Sequence, residues 1–294
     1  MEPISAGETF PLPRNLRDAA VAEGRADWLD SVPSTVAALA ERWSLTVGAP
    51  FQPGGQTAWV APARSVRLGA VVLKVAWRHS EADHKADGLA QWNGHGAVQL
   101  HASEEDVDTI ALLLERCAPG TALSSRPEVE QDAVIAALLP RLWREPDPGH
   151  RFRPLQAMCD RWADQYECNP PSRRTLDPGI SHAGVTLFRT LPAGSQGDML
   201  LCTDLHAGNV LAAQREPWLA IDPKPYVGDR TYDALQHILN CGQRLAAEPR
   251  GFVRLIAGKL ALDPDRLLLW LFARCVIESV EWPALADIAR RIAP

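Results

Sequence analysis

The sequence predicts an α+β chain of two lobes, a β-rich N-lobe carrying one helix and a mostly helical C-lobe. Three observations predict it. The length, 294 residues, suits about two domains at roughly 150 residues each. Short apolar runs rich in β-branched residues dominate up to Glu115, whereas apolar residues beyond Gly120 recur mostly at helical spacing. Between them Arg116-Cys117-Ala118-Pro119-Gly120 breaks both patterns, since Pro and Gly after a strand mark a turn or linker. The boundary is therefore set after residue 115, giving lobes 1–115 and 116–294.

The N-lobe reads in order as follows. Residues 1–33 are Pro- and charge-rich, with a short helical pattern over Leu16–Leu29. Ser34 suits an N-cap, and Val36, Leu39 and Trp43 then follow at helical spacing. Leu45–Phe51 reads as a strand leading into the loop Pro53-Gly54-Gly55-Gln56. Thr57–Ala61 and Ala70–Ala76 are strands separated by a turn near Arg64-Ser65. Glu81–Trp92 reads as a helix, and Ala97–Ala102 and Thr109–Glu115 as two more strands. The sum is a five-stranded sheet with one helix after its third strand.

In the C-lobe, Glu128–Trp143, Leu155–Cys168 and His182–Leu191 carry helical spacing, separated by Pro-rich breaks. Short strands at Met199–Cys202, Val210–Ala212 and Trp218–Ile221 bracket a polar loop. Helices at Tyr232–Cys241, Gly251–Leu260 and Asp265–Ser279 and a short segment Pro283–Arg291 complete the chain.

Hydrophobic content of 46% and charged content of 22% are those of an ordinary globular protein with chain enough for a core. The net charge of −6 argues against nucleic-acid binding, which needs a basic face. The six cysteines form no C-x-x-C pair and read as reduced thiols. No segment has the apolar core of a signal peptide or the ~18 consecutive apolar residues of a membrane span. The expected location is the cytoplasm, with neither membrane nor nucleic acid as partner.

The chemistry concentrates at Cys202-Thr203-Asp204-Leu205-His206-Ala207-Gly208-Asn209, with Asp222 thirteen residues after Asn209 at the end of an apolar run. An Asp, four residues, an Asn and a later strand-ending Asp is the spacing of a phosphoryl-transfer site. There the first Asp takes the proton of an acceptor hydroxyl, while the Asn and second Asp hold Mg²⁺ against ATP phosphates. Two hard-oxygen donors suit that ion. Gly208 offers the loop backbone freedom. Lys74, inside the apolar strand Val71–Ala76, is costly to bury unpaired and reads as a phosphate contact. The Gly54-Gly55-Gln56 loop can turn backbone amides toward phosphates. His206 lacks partners for a metal site and is expected to support the loop through its ring. Asp229 and Asp233 read as the N-cap and first-turn acid of the next helix, which buttresses the site.

These strings together resemble the aminoglycoside phosphotransferases, and within them the streptomycin 6-kinase and hydroxyurea phosphotransferase group. The likeness runs from about Phe10 to Trp282, carried by Pro53–Val60, Leu73–Trp77, Thr203–Leu211 and Ala220–Pro225. It implies a protein-kinase-like bilobal fold and transfer of the ATP γ-phosphate to a small-molecule hydroxyl, often inactivating an antibiotic. By position it implies Asp204 as catalytic base and Asn209 and Asp222 as Mg²⁺ ligands. Lys74 would contact the α/β-phosphates, and Leu114 to Cys117, with Glu115 among them, would form the adenine-binding hinge. Two positions depart from the family. Cys202-Thr203 replaces a His-Gly, and Lys85 stands where the helix acid that pairs with the strand lysine belongs. Glu81, one turn earlier on the same helical face, is expected to take over that pairing. These departures motivate an alternative, a nucleotide-binding module with little or no turnover. A further alternative is a kinase of an unrelated metabolite. Asp160, Asp164 and Glu278 are acids that could receive a cationic acceptor or lie at a solvated surface.

Overall fold

The computed structural model describes residues 10–79, 83–170, 175–195 and 197–294. The chain divides into two compact units, Met1–Gly120 and Thr121–Pro294.

The first unit opens with α1 (Arg14–Ala22) and α2 (Ala26–Arg42). The single helical pattern over Leu16–Leu29 is split, because Gly24 takes φ +66° and ends α1. Ser34 is no N-cap. It lies inside α2 beside Pro33, its hydroxyl donating to the Ser31 carbonyl. A mid-helix proline costs about 3 kcal/mol. The helix persists because Trp28, Leu29, Val32, Val36 and Leu39 are all buried, at roughly 1.5–3 kcal/mol each.

The sheet contains β1 (Leu45–Val47), β2 (Ala58–Ser65) and β3 (Gly69–Trp77). Then come α3 (Lys85–Trp92), β4 (Leu100–Glu105) and β5 (Thr109–Glu115). The strands are antiparallel in the order β1-β2-β3-β5-β4. The β2–β3 turn falls two residues later than expected, at Val66–Leu68, where the Ser65 hydroxyl accepts from the Arg67 and Leu68 amides. Strand alternation puts Val71, Leu73, Val75 and Trp77 into a core shared with α1 and α2. Trp28 meets Trp77 edge-on at 5.2 Å and donates its indole N–H to the Thr109 hydroxyl. The same alternation turns Lys74 to the opposite face from Leu73 and Val75.

The second unit begins with α4 (Glu128–Leu142), α5 (Leu155–Cys168) and α6 (Pro178–Thr190). Four short strands follow, β6 (Asp198–Leu201), β7 (Val210–Ala212), β8 (Trp218–Ala220) and β9 (Tyr226–Asp229). They pair antiparallel as β6 with β9 and β7 with β8. Next are α7 (Arg230–Asp233), α8 (Leu235–Asn240) and α9 (Gly242–Ala247). The unit closes with α10 (Pro249–Leu260), α11 (Pro264–Glu278) and α12 (Ala284–Ile292). The expected helix Tyr232–Cys241 is two short helices meeting at Ala234, and β9 was not legible behind Pro223-Lys224-Pro225.

Helix α11 is the axis of this unit. Leu267, Trp270, Leu271, Ala273, Cys275 and Val276 along it are all fully buried. Helix α6 packs on it through Gly184, where an added Cβ would come within 2.5–2.7 Å of three Val276 atoms. Among the described residues no helix is long and apolar enough to cross a membrane.

Gly184→Ala is expected to destabilise this unit by about 1–3 kcal/mol through overpacking, despite alanine's better helix propensity. Urea unfolding checks this, and an unchanged or raised midpoint contradicts the packing described.

Candidate active site

The polar loop of the second unit is held at both ends by backbone pairing. Strand β6 delivers the chain into buried Cys202 and Thr203. Thr203 takes φ +51°, an unfavourable left-handed conformation for a β-branched residue. Strain of that kind persists only where the surroundings over-determine it. Here the Asp233 carboxylate does so. It accepts the Thr203 amide at 2.6 Å and the Cys202 amide at 3.1 Å. It also accepts the Trp143 indole N–H at 3.1 Å.

Past this turn stands Asp204, whose amide donates to the Cys202 carbonyl at 2.8 Å. Leu205 is fully buried and anchors the loop to the core. His206 caps the short 3-10 turn Ala207–Asn209, its Nδ1 accepting from the Gly208 amide at 3.1 Å. That bond makes Nδ1 the acceptor and Nε2 the protonated nitrogen of the neutral ring. Burial holds the ring's pKa below the usual histidine value. Gly208 is needed for space rather than for a positive φ, because a Cβ there would lie 2.8 Å from the His206 ring. The positive-φ residues of the site are Thr203 and Asp222.

Asn209 and Asp222 meet through the β7–β8 hairpin. Val210 pairs with Ala220, and the Ile221 amide donates to the Asn209 carbonyl at 2.8 Å, extending the ladder by one step. Asp222 follows directly with φ +52°. The Asn209 side-chain N–H donates to the Asp204 carbonyl at 3.0 Å, which commits its nitrogen to the loop. That leaves its amide oxygen as a hard donor, and the backbone pairing of the hairpin carries Asp222 on from the strand opposite. This donor chemistry fits Mg²⁺, which takes one or two protein oxygens and fills its shell with phosphate and water. Among the described residues no three His, Cys, Asp or Glu side chains form a metal cluster.

The segment after Asp222 is sewn back to the loop. The Lys224 amide donates to the Cys202 carbonyl at 2.9 Å, and its carbonyl accepts the Thr203 hydroxyl at 2.5 Å. The Lys224 ammonium lies 3.4 Å from Asp204 Oδ2. A half-open cavity of about 260 Å³ lies on another side of the loop, lined by Ser124, Gln131, His206, Gly208, His237 and Cys241. None of Asp204, Asn209 and Asp222 lines it. His237 is tied to the buried Asp132 carboxylate at 2.8 Å, and Arg244 grips both Asp132 oxygens. Burial acts to raise that carboxyl, but the His237 and Arg244 bonds outweigh it and hold its pKa low.

Asp229 is the expected N-cap of the next helix, and among the described residues its carboxylate makes no direct bond to the loop. Its carboxylate caps α7 through the Thr231 amide and accepts Arg266 and Trp270 from α11. Asp233 makes the bonds to the loop instead. It sits in an apolar stretch that ends in buried Ala234 and Leu235, a sign of a carboxylate turned inward that position alone does not reveal. Asp160 and Asp164 lie beside Arg189 with Glu167, and Glu278 pairs with Arg274, so these acids already have cationic partners.

In the first unit Lys74 is 8% exposed, opposite Val60 and Leu112 in the sheet. Gly54, at φ +79°, packs under Pro13, and its carbonyl accepts the Asn15 side chain at 2.9 Å. Gly55 and Gln56 are exposed. Glu115 closes β5, its amide donating to the Gln99 carbonyl and its carboxylate accepting the Gln99 amide, and Cys117 is half-buried beyond it. Glu81 lies outside the described residues, while Lys85 starts α3 and is buried.

A β-sheet unit, a helical unit and an Asp–Asn–Asp loop of this form define a kinase of small molecules. The family described as aminoglycoside/hydroxyurea antibiotic resistance kinases matches residues 42–285, and the chain belongs to it. It is 32% identical to a streptomycin 6-kinase of Streptomyces glaucescens, over 92% of this chain and 89% of that one. It is 34% identical to a hydroxyurea phosphotransferase of Kitasatospora aureofaciens, over 94% of this chain and 81% of that one. In fold it is similar to the choline kinase LicA of Streptococcus pneumoniae, with a TM-score of 0.58 at 13% identity over 88% and 97% of the two chains. The chain is an ATP-dependent phosphotransferase.

Burial raises the Asp233 carboxyl to about 6, against 3.8 for an unperturbed aspartate, and the two backbone amides offset only part of that rise. A raised folded-state pKa contributes stability that is present below pH ~4 and lost as the pH rises through about 6. Relative to Asp233→Asn, the unfolding free energy of the wild type is expected to fall over that window by on the order of 2–3 kcal/mol. A difference that stays flat across the window contradicts a buried, desolvated carboxylate.

Proposed function

We propose that the chain transfers the γ-phosphate of MgATP to a hydroxyl of a small-molecule antibiotic, an aminoglycoside such as streptomycin or a hydroxyurea-type compound. The observation that carries this reading is the loop itself. Left-handed backbone at Thr203 and Asp222, the Asp233 grip on the Thr203 amide, the Asn209 bond to the Asp204 carbonyl and the β7–β8 pairing support it. The two curated relatives at 32% and 34% identity, named for streptomycin and hydroxyurea, support the acceptor class.

In this reading Asp204 orients the acceptor hydroxyl and receives its proton as the oxygen attacks. Asn209 and Asp222 hold Mg²⁺, which when bound neutralises charge on the β- and γ-phosphates. Lys74 neutralises the α/β-phosphates, Gly54, Gly55 and Gln56 present backbone to them, and Glu115 to Cys117 receive the adenine. Glu81 is the proposed partner of Lys74. His206 keeps the turn closed, so that the carboxylate and the amide keep their spacing. Little covalent work falls to the protein. Position and electrostatics supply the rate.

The purified chain with MgATP is expected to release ADP in the presence of streptomycin or hydroxyurea, and silence with both overturns the acceptor assignment. Asp204→Asn is expected to keep nucleotide affinity within about threefold while transfer falls by roughly 10²–10⁴. A variant that retains wild-type turnover contradicts the role of Asp204. Asp222→Asn is expected to raise the Mg²⁺ concentration needed for half-maximal turnover, and an unchanged metal dependence contradicts its place in the ion's shell.

A further inference from the structure

Lys224 has a side chain that none of the steps above uses. Its backbone makes the seam that fixes Asp222 to the loop, donating to the Cys202 carbonyl and accepting from the Thr203 hydroxyl. Its neighbours Pro223 and Pro225 have no amide N–H, so the donor of this segment is necessarily Lys224's own. Any residue but proline could make that seam, because only backbone atoms of position 224 take part. What a lysine adds is a cation 3.4 Å from Asp204 Oδ2, on a side chain one-third exposed.

An ammonium at that position does nothing to draw a hydroxyl proton onto the carboxylate. It gains a purpose when negative charge crosses the site. If Asp204 holds the acceptor hydroxyl, the γ-phosphorus must come in line with that oxygen at about 3–3.5 Å. Its equatorial oxygens then stand within a few ångströms of the carboxylate. A lysine, with a flexible four-carbon stem and three donors, reaches such an oxygen by a small swing. We infer that Lys224 is a further catalytic residue, whose ammonium turns from the Asp204 carboxylate to hold an equatorial oxygen of the γ-phosphoryl group as it transfers. This rests on the reading of Asp204 given under Proposed function.

The step balances as follows. The acceptor oxygen forms its bond to the γ-phosphorus while its proton passes to Asp204. The bond from that phosphorus to the β–γ bridging oxygen breaks, and its electron pair leaves on ADP. Lys224 keeps its three protons throughout and forms no covalent bond. As the ammonium turns to the phosphoryl oxygen, Asp204 Oδ2 is released to accept the proton.

The test compares wild type, Lys224→Met and Lys224→Arg in the full chain. Lys224→Met keeps the backbone seam and the length of the stem but has no charge. It is expected to lower kcat about 100-fold, the usual effect of removing one transition-state donor, with acceptor KM and ATP affinity within threefold. Lys224→Arg is expected to recover at least a tenth of the wild-type kcat. A second readout needs no acceptor. ADP, Mg²⁺ and aluminium fluoride, which mimics the transferring phosphoryl group, are expected to bind wild type at least tenfold more tightly than Lys224→Met, with ADP alone binding both equally. Equal fluoride trapping in the two proteins, or none in the wild type, overturns the role. So does a Lys224→Met defect confined to KM or a Lys224→Arg variant no better than Met. If no acceptor is turned over but trapping is lost in Lys224→Met, the acceptor assignment falls and the Lys224 role stands.

Discussion

The grip of the buried Asp233 carboxylate on the amides of Cys202 and Thr203 is the constraint from which the rest of the site follows. Thr203 adopts a left-handed backbone that a β-branched residue avoids, and a cost of order 1–3 kcal/mol is retained only where other bonds demand it. Those amides would be buried without acceptors if the carboxylate were absent. The carboxylate satisfies them and the Trp143 indole with them, and these bonds offset part of the desolvation that raises its pKa to about 6. Position 233 in turn is set by β9 and α7, which Asp229 ties to α11 through Arg266 and Trp270. A chain of polar bonds thus runs from the most deeply buried helix of the unit to the turn that presents Asp204.

The chemistry uses this rigidity in two ways. One is spacing, since the seam at Lys224 and the ladder step at Ile221 fix Asp222 against both ends of the loop. The other is a division of labour among polar atoms. Asn209 spends its N–H on the loop and keeps its oxygen. His206 spends Nδ1 on Gly208. The Asn209 nitrogen and His206 Nδ1 are thereby committed to structure, which in the proposed reading leaves the metal to hard oxygen donors.

Much of this was legible in the sequence, for definable reasons. Each of the five strands overlaps an apolar run between turn residues, although β1 stops at Val47 and β4 runs from Leu100 to Glu105, three residues later than expected; Lys74 stood out because a cation in such a run is anomalous. The Asp204–Asn209–Asp222 spacing is local chemistry, written within nineteen positions. What escaped depends on contacts distant in sequence or on residues that look alike on paper. Ser34 carried the signature of a cap, but the apolar stripe from Trp28 to Leu39 overrode it and the proline beside it. β9 follows two prolines and includes a glycine and an aspartate, so its partner β6, not its composition, makes it a strand. Asp229 and Asp233 are both acids at the start of a helix. Only the fold shows that one faces α11 and the other the loop.

The central claim, that this loop carries phosphate from nucleotide to acceptor, is tested most directly by following ATP labelled in its γ-phosphate in the presence of streptomycin or hydroxyurea. The expected result is label in an ester of the acceptor with wild type and none with Asp204→Asn. Label that reaches only inorganic phosphate, or reaches the acceptor equally in both proteins, would contradict it.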